Sequence, residues 1–321
     1  MSTMMTIAET AAWLKSRDGY LLLTHCRPDG DTVGCAGALA QGLREFGKTA
    51  YILHNPEITQ RYLRFMKDYL APEGYKPEHV IVLDTASTDL FTKNCGEYID
   101  SVSLCIDHHV SNTLYAEHTC LGWEYASCGE IIYEILSALT GSISAKSAEN
   151  LYAAVSTDTG CFAYGNTTAN TLRVASLLIE AGAPHKELNK LLFRTKTRGR
   201  MKIEGSIYSG IEFYFGDAVA ISTITREMMK SANANEDDVD DIASLPGSIE
   251  GVRAGITLRE MKSPNDCKVS VRTSPAVDAH AICARFGGGG HSMAAGFTIN
   301  KTLPEVKEAL LETLNDFFPS V

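Results

Sequence analysis

Short apolar runs alternate with longer amphipathic segments through the first half of the chain. Apolar runs at residues 20–25, 49–53, 79–84 and 103–107 predict β-strands. Apolar residues at helical spacing predict helices at residues 34–46, 129–139, 148–155 and 172–181. This alternation is typical of an α/β fold, so we expect a parallel sheet with helices on both faces.

The second half of the chain has a different pattern. Residues 217–223, 252–259 and 268–272 predict strands, residues 278–286 and 304–317 predict helices, and a run of four glycines lies between the two helices. These elements predict a smaller α+β domain. Because the apolar pattern breaks at residues 194–199, we expect a first domain at 1–195, a linker or hinge at 196–215 and a second domain at 216–321. The second domain is expected to face the first across a cleft.

Composition limits the partners that this chain can bind. It has 321 residues and a formal net charge of −10, which disfavours a protein that coats long duplex nucleic acid, because such binding depends on clustered Lys and Arg. No run approaches the roughly 18 apolar residues of a membrane span, and charged residues interrupt the first 20 positions, unlike a secretory signal. Nine cysteines without a CxxC pair favour reduced, buried thiols. We therefore expect a cytoplasmic protein.

Histidine and aspartate residues follow the predicted strands at the positions where each strand ends. His25, Asp29 and Asp31 share one turn after the first strand. Asp84 ends a later strand, and Asp107, His108 and His109 end another, while Asp158 follows a predicted helix. The carboxyl ends of parallel strands meet at one edge of a sheet, where α/β proteins place their sites. The sequence therefore predicts a metal site at this edge.

The sequence offers more predicted ligands than one divalent ion can bind while keeping an open position. They comprise two imidazoles and four carboxylates: His25, Asp29, Asp31, Asp84, His108 and Asp158. We expect two divalent ions that share a bridging carboxylate, with Asp84 as the bridge. Mixed nitrogen and oxygen ligands without thiolate favour Mn²⁺, with Mg²⁺ or Co²⁺ as alternatives.

Two residues of this region are surplus to the ligand count. His109 has two open interpretations: it donates to a phosphate or leaving-group oxygen, or it orients its neighbours. Asp107 is predicted to support the ligands rather than to bind metal. His109 and Asp107 are therefore the candidate catalytic residues.

These motifs resemble those of the DHH phosphoesterase superfamily. The resemblance is carried by HxxPDGD at residues 25–31, the strand-end Asp84, the Asp-His-His triplet at 107–109 and Asp158, which occur in the order found in that family. The second half adds a GGGGH motif, at residues 287–291, similar to that of the DHH-associated substrate domain. Short two-domain members of this kind are NrnA-like proteins, which are bifunctional oligoribonucleases and 3′-phosphoadenosine 5′-phosphate (PAP) phosphatases.

The resemblance implies both substrates and substrate contacts. It implies two-metal hydrolysis of short single-stranded oligoribonucleotides or 3′,5′-phosphorylated nucleotides, and it is compatible with a homodimer. Substrate phosphates would be held by Arg272 and His291, with the backbone of Gly288, Gly289 and Gly290 close by. Three alternatives remain open: a DHH-type inorganic pyrophosphatase, a phosphodiesterase of linear dinucleotides such as pApA or pGpG, and a nucleotide sensor without activity.

The chain departs from the family pattern at two positions. Cys35 stands where the first motif commonly carries serine, and Ala163 stands where an arginine is often found. Neither departure removes a predicted ligand. The roles of Cys26 and Cys35 beside the predicted metal loop do not follow from the sequence.

Overall fold

The computed structural model describes residues 2–239, 241–263 and 265–318. The chain forms two compact units, Met1–Thr195 and Lys196–Val321. The range 196–215, predicted as a linker, begins the second unit, and its role as a hinge stays a prediction. In the described part of the chain, no helix combines the length and the apolar character needed to cross a membrane.

The first unit alternates strands and helices, as the apolar pattern predicts. Its strands are β1 (Thr3–Met4), β2 (Tyr20–Leu23), β3 (Ala50–Ile52), β4 (His79–Leu83), β5 (Val102–Asp107) and β6 (His118–Leu121). Its α-helices are α1 (Ile7–Ser16), α2 (Gly30–Glu45), α3 (Gln60–Met66), α4 (Cys128–Thr140), α5 (Ala145–Asp158), α6 (Ala169–Glu180) and α7 (His185–Asn189). The four predicted strands and four predicted helices are all present.

All six strands of the first unit lie in one parallel sheet. Their order is β1-β6-β5-β4-β2-β3, and every neighbouring pair is parallel. The predicted α/β fold is therefore confirmed. Because β2, β4 and β5 are neighbours that run in the same direction, the residues that follow them meet at one edge of the sheet.

The two faces of this sheet are covered in different ways. Alternate strand residues such as Leu22 and Ile81 pack into a core with helices α1, α2, α4 and α5, and the residues between them, such as Leu21 and Val82, pack on the other face. Three short 3₁₀ helices, at Thr88–Leu90, Lys93–Cys95 and Ile99–Ser101, belong to the segment between β4 and β5, and Cys95 of that segment packs into the second core. Period-two alternation thus buries both faces.

Helices α2 and α5 pack closely because α2 carries glycines at the contact. A Cβ on Gly34 would lie 2.5 Å from the carbonyl oxygen of Asn150, and a Cβ on Gly30 would lie 2.4 Å from the side chain of Thr157. The contacts run from the start of α2 beside the end of α5 onward, so the two helices are antiparallel. This packing brings Asp31, in the first turn of α2, towards Asp158 at the end of α5.

The second unit is smaller and contains a mixed sheet. Its strands are β7 (Glu212–Tyr214), β8 (Val219–Ile224), β9 (Ala254–Glu260), β10 (Asp266–Thr273), β11 (Gly289–His291) and β12 (Ala294–Asn300), and its α-helices are α8 (Arg198–Ser209), α9 (Arg226–Ala232), α10 (Ala279–Ala284) and α11 (Leu303–Leu314). The strand order is β11-β12-β10-β9-β8-β7, with only the β8–β9 pair parallel. Residues 319–321, which end the predicted second domain, lie outside the described residues.

Candidate metal centre

The turn after β2 brings three of the predicted ligands to the start of α2. Asp29 is the N-cap of α2, and its Oδ1 accepts hydrogen bonds from the backbone N–H groups of Asp31 (3.0 Å) and Thr32 (3.2 Å). His25 Nε2 lies 3.7 Å from Asp29 Oδ1. Because Asp29 caps the helix, its side chain is fixed beside His25 before any ligand binds.

Asp84 lies between the two predicted histidine ligands. Its Oδ2 lies 3.8 Å from His25 Nε2, whereas its Oδ1 lies 3.4 Å from His108 Nε2. Asp84 directly follows β4 and has a left-handed backbone, with φ of 53°. Aspartate is one of the few residues other than glycine that visits this conformation often. The turn directs one carboxylate towards both histidines.

The ligand atoms form overlapping groups around Asp84. The groups are Asp84, His108 and His109; His25, Asp29 and Asp84; and Asp31, His108 and Asp158, and within each group the ligand atoms lie within 4.8 Å of one another. His108 Nε2 lies 3.5 Å from Asp158 Oδ2 and 3.9 Å from Asp31 Oδ2. The structure therefore brings all six predicted ligands together, in groups that are linked through Asp84 and His108.

The first turn of helix α4 holds the side chain of Asp31 in place. The backbone N–H groups of Cys128 and Gly129, in the first turn of α4, donate to Asp31 Oδ2 (2.7 Å) and Oδ1 (2.9 Å). The thiol of Cys35 donates to Oδ1 of the same carboxylate (3.2 Å). The positive end of the helix dipole favours a charged carboxylate there. The same hydrogen bonds give partners to N–H groups that would otherwise lack them. Burial and the charges of Asp84 and Asp158 nevertheless raise the pKa of Asp31 well above its usual range.

Asp107 holds His109 rather than pointing into the ligand groups. Its Oδ1 accepts a hydrogen bond from His109 Nδ1 (2.7 Å), and its Oδ2 accepts one from Asn112 Nδ2 (2.6 Å). Asp107 is fully buried. With Nδ1 committed to the carboxylate, Nε2 is the ring nitrogen of His109 that can act on a ligand.

Three backbone carbonyls and one side-chain amide connect the remaining ligands to neighbouring loops. His108 Nδ1 lies 3.3 Å from the carbonyl oxygen of Tyr125, which orients the ring so that Nε2 faces the carboxylates. Asn166 Nδ2 donates to the carbonyl oxygens of Asp158 and Ala126, both at 3.1 Å. The loops after β6 and after α5 are therefore tied to each other beside the site.

The clustered carboxylates shift the pKa values of the histidines and of one another. Burial by itself would lower the pKa of His25, but Asp29 and Asp84 raise it to about 9. Burial would also lower the pKa of His108, but Asp84 and Asp31 raise it to about 10. Burial and the charge of Asp84 raise the pKa of Asp158 to about 7. Without a cation, the site compensates its negative charge by keeping protons.

One buried oxygen indicates that a cation belongs in this site. Asp84 is 4% exposed, and its Oδ1 has no hydrogen-bond partner among the described residues. A buried carboxylate oxygen without a hydrogen bond is costly, because it has lost its water, and the approach of His108 Nε2 to 3.4 Å offsets only part of that loss. Carboxylate and imidazole ligands with open positions suit divalent ions, so these residues fit a metal site.

Metal uptake should release protons at neutral pH. At pH 7 the pKa values of about 9 and 10 keep His25 and His108 protonated, and each must lose its proton to bind metal. We expect release of at least two protons per chain on saturation with Mn²⁺, because Asp158, with a pKa of about 7, adds to the protons of the two histidines. The number should fall as the pH rises through these pKa values. Isothermal titration calorimetry in two buffers of different ionisation enthalpy measures this number.

A matched variant locates the source of these protons. His108→Ala removes one charged imidazole, so it should lower the number released by about one. Release that is near zero in the wild-type protein would contradict the assignment of the two histidines as protonated ligands.

The predicted substrate residues lie in the second unit, in one row of its sheet. Ala294 of β12 pairs with Arg272 of β10 on one side and with His291 of β11 on the other. Directly paired residues project from the same face of a sheet, so Arg272 and His291 flank the small side chain of Ala294. His291 is exposed, and Arg272 is partly buried.

The second half of the glycine run before His291 belongs to a strand. Gly289–His291 forms β11, and a Cβ on Gly288 or Gly290 would lie 2.5 Å from backbone oxygens of β12. Gly289 has open space around it. Gly288 and Gly290 are therefore required by the neighbouring strand, whereas the backbone at Gly289 is open to a ligand.

Several residues of the site could not be found from the sequence alone. Asn112, Asn166 and the N–H groups of α4 support the ligands, but polar residues in loops carry no signal of what they bind. Ser127 followed by Glu130 is a recognisable start of a helix, and Ser127 is indeed the N-cap of α4. The signal locates the helix start without revealing that it holds Asp31.

Two family models match the chain, one in each unit. The model described as the DHH family, N-terminal domain, matches residues 20–155, and the model described as the DHHA1 domain matches residues 216–320. Both matches agree with the families to which the sequence motifs are similar.

Two curated relatives match nearly the whole chain. The bifunctional oligoribonuclease and PAP phosphatase NrnA of Thermus thermophilus is 30% identical over 308 residues, which cover 94% of this chain and 91% of the relative. The protein of the same name from Bacillus subtilis is 28% identical, over 88% of this chain and 90% of the relative.

A solved structure shares the fold. The exopolyphosphatase-related protein of Bacteroides fragilis has a TM-score of 0.87 at 22% sequence identity, over 98% of this chain and 96% of that chain. At this level of identity, the likeness concerns the fold alone.

Proposed function

Because the chain belongs to the NrnA family of DHH proteins, we propose that it is a two-metal hydrolase of phosphoesters in short nucleotides. Its substrates would be short oligoribonucleotides, cleaved to mononucleotides, and PAP, which would lose its 3′-phosphate. The names of the relatives from Thermus thermophilus and Bacillus subtilis carry both activities.

The observation that supports this function most directly is the position of Asp84. One carboxylate faces His25 with Oδ2 and His108 with Oδ1, and Oδ1 has no hydrogen-bond partner in the part of the chain that the structure describes. A bridging ligand between two ions needs this arrangement of its two oxygens. His25 and Asp29 would complete one ion site, and Asp31, His108 and Asp158 the other.

The ligand set favours manganese. Four carboxylates suit hard ions, while the two imidazoles broaden the choice, so Mn²⁺ is preferred over Mg²⁺ or Co²⁺. When bound, two such ions would lower the pKa of a water and neutralise charge on the phosphoryl group.

The side chains around the ligands have separate tasks. Asp31 is held rigidly by α4 and cannot turn away from the site. His109, oriented by Asp107, would donate a proton from Nε2 to a phosphate or leaving-group oxygen. The hydrogen bond to Asp107 raises the pKa of His109, which favours the protonated form that a general acid needs.

The second unit would hold the substrate. Arg272 offers charge-assisted hydrogen bonds to a phosphate, and His291 stands in the same row of the sheet. The open backbone at Gly289 would accommodate a ligand close to the strand. Nine free cysteines support a reducing, cytoplasmic setting.

A panel of substrates tests the function. Phosphate and mononucleotide release is measured from a two-to-five-residue RNA, PAP, linear pApA and pyrophosphate, with Mn²⁺ and after chelation. We expect metal-dependent turnover of the RNA and of PAP, and no turnover of pyrophosphate.

Other outcomes would identify the alternatives. Turnover of pyrophosphate alone would assign a DHH-type pyrophosphatase. Turnover of pApA alone would assign a dinucleotide phosphodiesterase. Absence of turnover on all four substrates, with metal bound, would contradict the enzymatic function and favour a nucleotide sensor.

A further inference from the structure

Tyr164 is an exposed aromatic residue close in the chain to the predicted metal ligand Asp158. It lies in the loop that follows α5, and 61% of its surface is exposed. Its backbone N–H donates to the carbonyl oxygen of Thr159 (3.0 Å), the residue directly after Asp158. The aromatic ring is therefore carried by a segment that is anchored at the metal site.

The ring of Tyr164 covers Gly160 with one of its faces. A Cβ on Gly160 would lie 2.4, 2.5 and 2.6 Å from Cε1, Cζ and Cδ1 of the tyrosine. An approach to the edge of the ring would leave the flanking carbons clearly farther away than the central one. Near-equal distances to three consecutive ring carbons therefore place the glycine against one face. The rest of the side chain, which includes the opposite face, then accounts for the exposed 61%.

The loop that carries Tyr164 is fixed by several contacts. Gly160, Cys161 and Phe162 have left-handed backbones, with φ of 57°, 57° and 68°. The ring of Phe162 lies 6.0 Å from that of Tyr152 and packs against the core. Asn166 ties the loop to the carbonyl oxygens of Asp158 and Ala126. A strained backbone held in this way persists only where its surroundings determine it.

We propose that the open face of Tyr164 is the platform on which a base of the substrate stacks. The inference rests on the proposed function, because nucleotide substrates carry a flat aromatic base next to the phosphate. Stacking needs no charge on either partner. Stacking is also tolerant of sequence, since every base has an aromatic face.

Removal of the ring should weaken binding of nucleotides rather than chemistry. For Tyr164→Ala we expect a rise of about 5- to 150-fold in KM for PAP, with kcat changed by less than about threefold. The dissociation constant of PAP, measured by calorimetry with Ca²⁺ in place of Mn²⁺, should rise by the same factor. A substrate without a base, the 3′,5′-bisphosphate of an abasic tetrahydrofuran sugar, should show the same KM with both proteins.

Two further variants separate the aromatic face from other properties of the side chain. Tyr164→Phe keeps the ring and should retain the wild-type KM, because the hydroxyl makes no hydrogen bond within the described part of the chain. Tyr164→Leu keeps apolar volume without an aromatic face and should resemble Tyr164→Ala. Thermal unfolding temperatures of all variants should match that of the wild-type protein, since the ring is exposed.

The outcomes distinguish this inference from the proposed function. Equal KM and equal affinity for PAP in the wild-type protein and Tyr164→Ala, with turnover intact, would overturn the stacking role and leave the function standing. The same loss of affinity for the abasic compound would also overturn it. Absence of both turnover and PAP binding in the wild-type protein would overturn the proposed function and this inference with it.

Discussion

Asp84→Ala should abolish turnover, with a fall in kcat/KM of about 10³-fold or more. The two oxygens of this carboxylate face the two histidines, 3.8 and 3.4 Å away, so its loss affects both predicted ion sites at once. Stabilisation by a metal site contributes several kcal/mol to a phosphoryl transition state, and each 1.4 kcal/mol corresponds to about tenfold in rate. Steady-state kinetics with PAP at saturating Mn²⁺ measures the loss, and metal analysis should show fewer than two ions per chain.

Two control variants accompany this experiment. Asp89→Ala makes the same chemical change at an exposed residue of the following 3₁₀ helix, and it should keep wild-type activity and metal content. Asp84→Asn keeps the size of the side chain and removes its charge, so it should be nearly inactive. Retention of activity in either Asp84 variant would refute the bridging assignment.

Cys35→Ser, by contrast, should leave activity nearly intact. The thiol of Cys35 donates to Asp31 Oδ1 at 3.2 Å, and a serine hydroxyl can donate to the same oxygen. Because the backbone N–H groups of α4 also hold Asp31, the carboxylate keeps its position. Loss of more than about tenfold in kcat/KM would mean that the sulfur itself has a role.

The strand ends were predictable because each combines a strong apolar run with a sharp change to polar residues. Val80 to Leu83 can only be a buried strand, so Asp84 is placed at its carboxyl end by chain order alone. The start of α2 was predicted four residues late, at residue 34. The Pro-Asp-Gly sequence is typical of a turn, but Asp29 instead caps the helix, which begins at Gly30.

Elements that depend on long-range pairing were harder to predict. The four-glycine run has no side chains to indicate a strand, and β11 exists because its backbone pairs with Ala294–Gly296 of β12. The edge strand β1 is only two residues long and pairs with β6, more than a hundred residues away. Helix α8, with Thr197 as its N-cap, lies inside the range 196–215 that the polar pattern indicates as a linker. Local sequence patterns do not indicate which distant segments pair with one another.

The metal ligands can be predicted from the sequence, but the groups that hold them in place cannot. The candidate ligands can be identified from the sequence, because only a few side-chain types, such as imidazole and carboxylate, bind metal ions. Their orientation depends on groups without such chemistry, such as the carbonyl oxygen of Tyr125 beside His108. Only the three-dimensional structure reveals that the helix start at Cys128 holds Asp31.

Of the two interpretations of His109, its contacts support the one in which the imidazole donates a proton, and we propose that role. Its Nδ1 is bonded to Asp107 at 2.7 Å, and Asn112 fixes the other oxygen of that carboxylate at 2.6 Å. An imidazole that only oriented His108 would not need this buried support. The arrangement resembles other carboxylate–histidine pairs in which the carboxylate sets the tautomer and the far nitrogen exchanges the proton.

His109→Ala should therefore lower kcat by about 10² to 10⁴-fold, the range for loss of a positioned general acid. KM and the two-ion metal content should change little, because Nδ1 is engaged by Asp107 and the six ligands remain. The neighbouring variant His108→Ala is the matched control, and it should lose metal as well as activity. Loss of a bound ion in His109→Ala, detected by metal analysis after gel filtration, would instead make His109 a ligand, consistent with the 3.6 Å between its Nδ1 and Asp84 Oδ1. An unchanged kcat with normal metal content would leave the imidazole without a role in proton transfer.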